Sequence, residues 1–278
     1  MFCWGWVVTS SYEIRAGMSY DTIRTEEAGA VLVATIDHPA SDVNAIDGRL
    51  HHDLDRFFSD LRTNHDYRAV VLTGSKRAFS AGGDYGWFPE LQDPVSREEV
   101  RAAGKRIVWN LLDIEVPIVA AVNGPAMGLG ATIALLCDVV LMSDAAVIGD
   151  PHVRVGLVAG DGGTGIWPLL IGPMLAKRYL LTGDPISAAE AHRLGLTAEV
   201  HAPEELGAAA LSFAGRLAAG APLALRYTKL AVNSWVKQMF ASSFDVALGY
   251  EVVTMGSEDH AEAINAIEQR RPPEFRGR

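Results

Sequence analysis

Phe79-Ser80-Ala81-Gly82-Gly83-Asp84 and Asn123-Gly124-Pro125-Ala126-Met127-Gly128-Leu129-Gly130 are two Gly-rich turns. Ala69-Val70-Val71-Leu72-Thr73 leads toward the first, and Pro117-Ile118-Val119-Ala120-Ala121-Val122 leads into the second. Apolar, β-branched runs bounded by turn residues read as buried strands. Glycine admits positive φ and lets a ligand approach the backbone. Two such turns can aim backbone N–H groups at one point, an arrangement that stabilises an oxyanion. The pattern points to an α/β fold and to activation of a carbonyl or thioester.

The neighbouring segments continue the alternation. Residues 31–36 read as a strand. Residues 47–62 read as a helix with Leu50, Leu54, Phe57, Phe58 and Leu61 on one face. Ser96 is the expected N-cap of a helix reaching Leu112, with Glu98 and Glu99 in its first turn. Residues 128–136 read as a helix and 139–142 as a strand. Beyond that point the chain turns helical, over 173–181, 187–194, 203–219, 222–236 and 240–255. This shift predicts a core over residues 18–200 and a helical region over 201–278. The basic end, from Arg270 to Arg276, is expected to be a disordered or subunit-contacting tail. Residues 1–17 are expected to be a disordered leader or an upstream start, with Met18 opening a more polar stretch. The apolar residues at positions 1–8 lack a preceding positive region and are too few to span a bilayer.

The chain has 278 residues, of which 49% are hydrophobic, enough for a sizeable core. Its net charge of −10 argues against a general nucleic-acid or anionic-membrane binder. Cys3 and Cys137 are the two cysteines, and their separation offers neither a disulfide framework nor metal-ligand spacing. Free thiols in a cytoplasmic protein are the expectation.

From about Ala30 to Glu268 the chain resembles the crotonase (enoyl-CoA hydratase/isomerase) superfamily. The two Gly-rich turns carry the resemblance, with Cys137-Asp138, Gly156-Leu157, Gly162-Gly163-Thr164, Leu181-Thr182-Gly183-Asp184 and Ser187-Ala188-Ala189-Glu190-Ala191 in the same order. The resemblance implies a ββα spiral core with a helical C-terminal trimerisation region, assembled as a homotrimer or homohexamer. It implies a small-molecule substrate, an acyl-CoA, with coenzyme A entering as part of the substrate and no separate cofactor or metal. It assigns the oxyanion donors to the N–H groups of Gly83 and Leu129. Members of the family usually have Gly where this chain has Leu129, so the Leu side chain is expected to reshape the pocket.

Two positions depart from the family hydratases, which use a pair of Glu residues. Thr132 stands at the first and His152 at the second, after Gly149-Asp150-Pro151. Thr is no general base near neutral pH, whereas imidazole suits proton transfer there. Asp161, in Ala159-Gly160-Asp161-Gly162-Gly163, replaces a small residue and is the expected partner of His152. Asp150 is an alternative carboxylate or a turn residue.

Pro151-His152, Gly160-Asp161-Gly162, Trp167-Pro168 and Leu180-Leu181-Thr182-Gly183 resemble the β-diketone hydrolase branch typified by 6-oxocamphor hydrolase. That branch cleaves a C–C bond between two carbonyls without CoA. His52 and Glu251 fall where it places polar pocket residues. It differs in carrying His at the position of Leu129 and in lacking the glycines at 128 and 130.

Asp84, Tyr85, Trp87, Thr132 and Glu251 are expected at the substrate. His51 and His52 lie on a helix face. Lys76, Arg77, Arg226 and Lys229 are candidates for a CoA phosphate. Three readings follow. The first is an enoyl-CoA hydratase/isomerase-like enzyme with a His152–Asp161 pair. The second is a CoA-independent hydrolase of a cyclic β-diketone. The third is a non-catalytic acyl-CoA-binding subunit.

Overall fold

A computed structural model describes residues 14–16, 19–64 and 66–278. Two antiparallel pairings open the main sheet, β1 (Ile14–Ala16) on β2 (Ile23–Ala28) and β2 on β3 (Val31–Ile36). Helix α1 (Gly48–Thr63) leads to β4 (Ala69–Gly74), which pairs parallel to β3 with Val31 opposite Ala69. Helix α2 (Pro94–Asp113) leads to β5 (Ile118–Val122), parallel to β4. After the short strand β6 (Ala126–Met127) and helix α3 (Leu129–Leu136), β7 (Val139–Ser143) pairs parallel to β5. Strand β8 (Val147–Gly149), helix α4 (Gly163–Thr182), strand β9 (Ile186–Ser187) and helix α5 (Ala188–Leu194) follow. Strand β10 (Glu199–His201) completes the seven-stranded order β1-β2-β3-β4-β5-β7-β10, and β6-β8-β9 form a second sheet. Helices α6 (Pro203–Ala218), α7 (Pro222–Ala241), α8 (Phe244–Met255) and α9 (Glu258–Glu268) end the chain.

Side chains alternate across a strand, and here the alternation divides two cores. Val31 and Val33 of β3, Val71 of β4 and Val119 of β5 pack with Leu206, Ala210 and Ala214 of α6. Leu32, Leu72 and Ile118 point the other way, to Leu54 and Phe58 of α1, Ile107 and Leu111 of α2 and Ile133 of α3. Both faces are covered, which is why the parallel strands read as unbroken apolar runs.

Most expected elements are present, with five differences. The N-cap of α2 is Asp93, not Ser96: its carboxylate accepts from the Ser96 N–H and hydroxyl, and Pro94 takes the first helical position. Helix α4 begins at Gly163, ten residues before the expected 173, and breaks at Gly172 (φ +77°) ahead of Pro173. Helix α8 begins at Phe244 rather than 240, because α7 runs on to Ala241. Helix α9 was not expected. The basic tail is not a disordered end. Backbone N–H groups of Arg276 and Gly277 donate to Asp259 at 2.6 and 2.8 Å, and Arg271 pairs with Glu262. The expected leader falls mostly outside the described residues; within it, 14–16 form β1. Among the described residues no single helix is long and apolar enough to cross a membrane.

Candidate active site

The two Gly-rich turns are laced together. Ser80 N–H donates to Pro125 O (3.2 Å) and Met127 N–H to Ser80 O (2.9 Å). Gly82 has φ +84°, and a Cβ there would lie 3.0 Å from Met127 O. At Gly130 a Cβ would lie 2.7 Å from Ser80 O, so only glycine lets α3 approach the first turn.

Ile46 fixes the direction of the first turn. Its N–H donates to Gly82 O (2.8 Å) and its carbonyl accepts from Asp84 N–H (2.9 Å). In such a parallel bridge the N–H of the middle residue, Gly83, is left pointing away from Ile46. Leu129 is the first residue of α3, so its N–H belongs to the unpaired first turn of the helix, at the positive end of its dipole. Gly83 and Leu129 line one cavity of about 80 Å³ together with His152, Asp161 and Glu251.

His152 opens a single 3-10 turn, His152–Val155, that follows β8. Its Nδ1 lies 2.6 Å from Asp150 Oδ1, and its Nε2 lies 3.5 Å from Asp161 Oδ2 and 3.7 Å from Glu251 Oε1. Asp150, Asp161 and Glu251 are all buried. The close partner of His152 is therefore Asp150. The expected partner Asp161 faces the other ring nitrogen, beyond direct hydrogen-bond distance. Asp161 in turn accepts from Thr132 Oγ1 (3.3 Å).

Burial alone would lower the His152 pKa, but the carboxylates of Asp150, Asp161 and Glu251 hold it well above the ordinary 6.5. Burial, reinforced by Asp150, pushes Asp161 up to about 6 despite the attraction of His152. Burial and then the repulsion of Asp161 push Glu251 up to about 8. These shifts favour the imidazolium form of the ring and a protonated Glu251. Ligand atoms of Asp150, His152 and Asp161 lie within 4.8 Å of one another. The Asp150 carboxylate already holds the Nδ1 side of the ring at 2.6 Å.

The other expected residues divide. Trp87 lines the cavity, as does His51, whose ring sits 5.7 Å from that of Trp87 and which burial lowers to about 4. His52 lies in an adjoining groove between α1 and α2. Tyr85 is half exposed and outside the cavity lining. Asp84 accepts from Gly86 N–H at 2.7 Å and shapes the turn, and Thr132 stands behind Asp161 rather than on the cavity. Lys229 is buried, donating to Val116 O (2.8 Å) and Asp138 (2.7 Å), so it braces α7 against the core and does not reach a phosphate. Lys76 is tied to the carbonyls of His38 and Ser41. The sequence reading missed His260, which is fully buried beneath the site. The Asp-x-His spacing of Asp150 and His152 was a visible sign of their contact.

The enoyl-CoA hydratase/isomerase family profile matches residues 26–278. The chain belongs to that family, and its mixed α/β architecture is the crotonase fold. It is 32% identical to a short-chain-enoyl-CoA hydratase of Clostridium acetobutylicum, over 94% of this chain and all of that one. A crystal structure of an enoyl-CoA hydratase/isomerase from Mycobacterium paratuberculosis superimposes with TM-score 0.85 and 38% identity, covering 88% of this chain and 98% of that one. A β-diketone hydrolase from the cyanobacterium Anabaena, bound to (S)-3-oxocyclohexyl acetic acid, superimposes with TM-score 0.80 and 30% identity, covering 85% and 95%.

Proposed function

We propose that this protein takes an acyl-CoA and stabilises its thioester enolate. The observation that carries the reading is one cavity lined by Gly83, Leu129 and His152. The thioester oxygen accepts from the Gly83 and Leu129 N–H groups and lies at the positive end of α3. His152 Nε2 faces the same space. In its neutral form it takes a proton from the α-carbon, which leaves the enolate on the two N–H groups, and the imidazolium so formed returns a proton to the same carbon; with the ring protonated at rest, exchange should speed up as pH rises. Asp150 holds Nδ1–H and steadies the charge. Glu251, protonated, presents a neutral donor to the substrate, and Asp161 adds a negative charge that helps hold the proton on the ring. The Leu129 side chain crowds the acyl site and favours a short chain. Standard two-Glu hydration does not run here, because Thr132 and His152 occupy the two positions.

Copies of the chain assemble, in this reading, through the exposed apolar residues of α7 and α8, among them Tyr227, Trp235, Tyr250 and Val253. No cofactor beyond the CoA of the substrate is invoked.

One observation favours a second reading: a histidine set among carboxylates, in a chain similar to a β-diketone hydrolase. Here His152 would take a proton from water as it attacks one carbonyl of a cyclic β-diketone. The C–C bond between the carbonyls then breaks, and the enolate leaving group takes up the proton.

The deciding experiment follows butyryl-CoA in D2O by proton NMR. Exchange of the α-hydrogens, lost by about a hundredfold or more in His152→Ala, is expected. Tight acyl-CoA binding without exchange would return the chain to the non-catalytic reading. No binding, with turnover of a cyclic 1,3-diketone, would establish the second. Fast hydration of crotonyl-CoA would refute the reading of Thr132.

A further inference from the structure

His260 takes no part in the chemistry above, yet it touches both halves of the site. Its side chain is fully buried on the first turn of α9. Nδ1 lies 2.7 Å from Val155 O. A carbonyl only accepts, so the ring carries its proton on Nδ1. Val155 closes the 3-10 turn that His152 opens, and Leu157 N–H returns to His152 O at 2.9 Å. The backbone of α9 rests on that turn: a Cβ on Gly156 would lie 3.1 Å from His260 N. On its other side the His260 ring meets Phe88, centroids 5.3 Å apart. Phe88 is the ring that covers Gly83, where a Cβ would fall 2.7 Å from its edge.

This contact is a poor choice for stability alone. His260 Nε2 is buried with no hydrogen-bond partner, and an orphaned polar atom costs stability that a leucine of similar size would not. Only a directed donor fixes the Val155 carbonyl, and through it the angle at which His152 meets its neighbours.

We propose that His260 is a positioning residue that holds the His152 turn and, through Phe88, the Gly83 turn in register. The proposal rests on the catalytic reading of His152, but part of its test does not. The groups facing His152 are Asp150 after β8, Asp161 before α4, Glu251 from α8 and His260 from α9. Two variants separate positioning from packing. His260→Leu keeps volume and loses the donor; His260→Asn keeps a donor toward Val155 O and leaves a gap.

Three quantities are measured on the full chain: unfolding in urea, the His152 ring titration by nitrogen-15 NMR (its signals identified by their loss in His152→Ala), and α-hydrogen exchange of butyryl-CoA. His260→Leu should stay close to the parent in urea, since it removes the orphaned Nε2 but leaves Val155 O without its donor. Its His152 midpoint should fall by about one pH unit and its kcat, compared on the high-pH plateau where the ring is neutral in both proteins, by about tenfold, with KM within about twofold. His260→Asn should be less stable, yet keep the parent His152 midpoint and kcat within about twofold. An unchanged His152 midpoint in His260→Leu overturns the proposal, as do losses of activity that simply follow loss of stability in both variants. Should the parent itself catalyse no exchange, the functional reading fails, and the His152 titration still decides the role of His260.

Discussion

Replacing Glu251 by Gln should change how stability depends on pH, with no substrate needed. Glu251 is buried, and burial with the repulsion of Asp161 lifts its pKa from 4.5 to about 8. Between those values the folded chain holds a proton that the unfolded chain has released. Stability from this group is therefore fully present below pH 4.5 and is lost as pH rises toward 8. Each pH unit in that window corresponds to about 1.4 kcal/mol, so the loss reaches about 3 kcal/mol at pH 7 and about 5 kcal/mol by pH 9. Gln copies the shape of the protonated carboxyl and has no proton to lose. The two proteins should differ by less than about 1 kcal/mol at pH 5 and diverge steadily above it, with Glu251→Gln the more stable. Asp161 and His152 are raised as well. They give the variant a residual slope of the same sign, that of His152 being lost only as pH rises through its elevated folded value. Urea unfolding at pH 5 to 9, at one protein concentration so that any assembly contributes equally, reads the difference directly. Parallel stability curves for the two proteins would refute the assignment of a protonated, buried Glu251.

Asp150→Asn should lower the His152 titration midpoint by about one to two pH units, since a charge-assisted bond at 2.6 Å becomes a neutral one. Nitrogen-15 NMR of the ring measures it, and an unchanged midpoint would transfer the supporting role back to Asp161. Leu129→Ala keeps the backbone donor and removes a side chain from the cavity wall. It should leave the exchange rate of butyryl-CoA within about threefold and lower KM for branched or cyclic acyl groups. A large fall in rate with the short chain would mean that the Leu side chain itself, not only its N–H, organises the reacting carbonyl.

Much of the scaffold was open to sequence reasoning because its signals are local. β3 declares itself through six apolar or small residues, all buried, and α1 through a face of Leu50, Leu54, Phe57, Phe58 and Leu61 behind the capping Asp47. The Gly-rich turns were legible for the same reason: each glycine answers a steric demand from a close neighbour. Helix α9 was harder. Its buried face is built on alanines, Ala263 and Ala266 beside Ile264, and alanine contributes little to an apolar stripe. The cue that did exist was Ser257 followed by Glu258 and Asp259, a cap with acidic residues in the first turn. Glu251 came from the resemblance alone. Its helix is apolar on nearly every side, with Val246, Tyr250 and Val253 exposed and Ala247, Leu248 and Met255 buried, so periodicity could not say which face meets the site.

The start of α4 shows why Asp150 stands nearer to His152 than the expected partner, Asp161, does. Gly162-Gly163-Thr164-Gly165 reads as a loop, since glycine weakens a helix. In the fold these glycines are pressed against neighbours rather than left free. A Cβ on Gly165 would lie 2.9 Å from the Phe240 ring, and one on Gly163 only 2.1 Å from Asp150 Oδ2. Gly163 thus makes the space that Asp150 occupies, while its N–H donates to Asp161. One glycine seats both carboxylates, one at each end of the same imidazole. Asp150 could not be ranked above Asp161 from the sequence, because the ranking depends on this contact between α4 and the end of β8. With Asp150 wedged against the helix backbone and its second oxygen buried without a partner, its charge has little besides His152 to satisfy it. That is the condition under which the imidazolium, rather than the neutral ring, is the resting form.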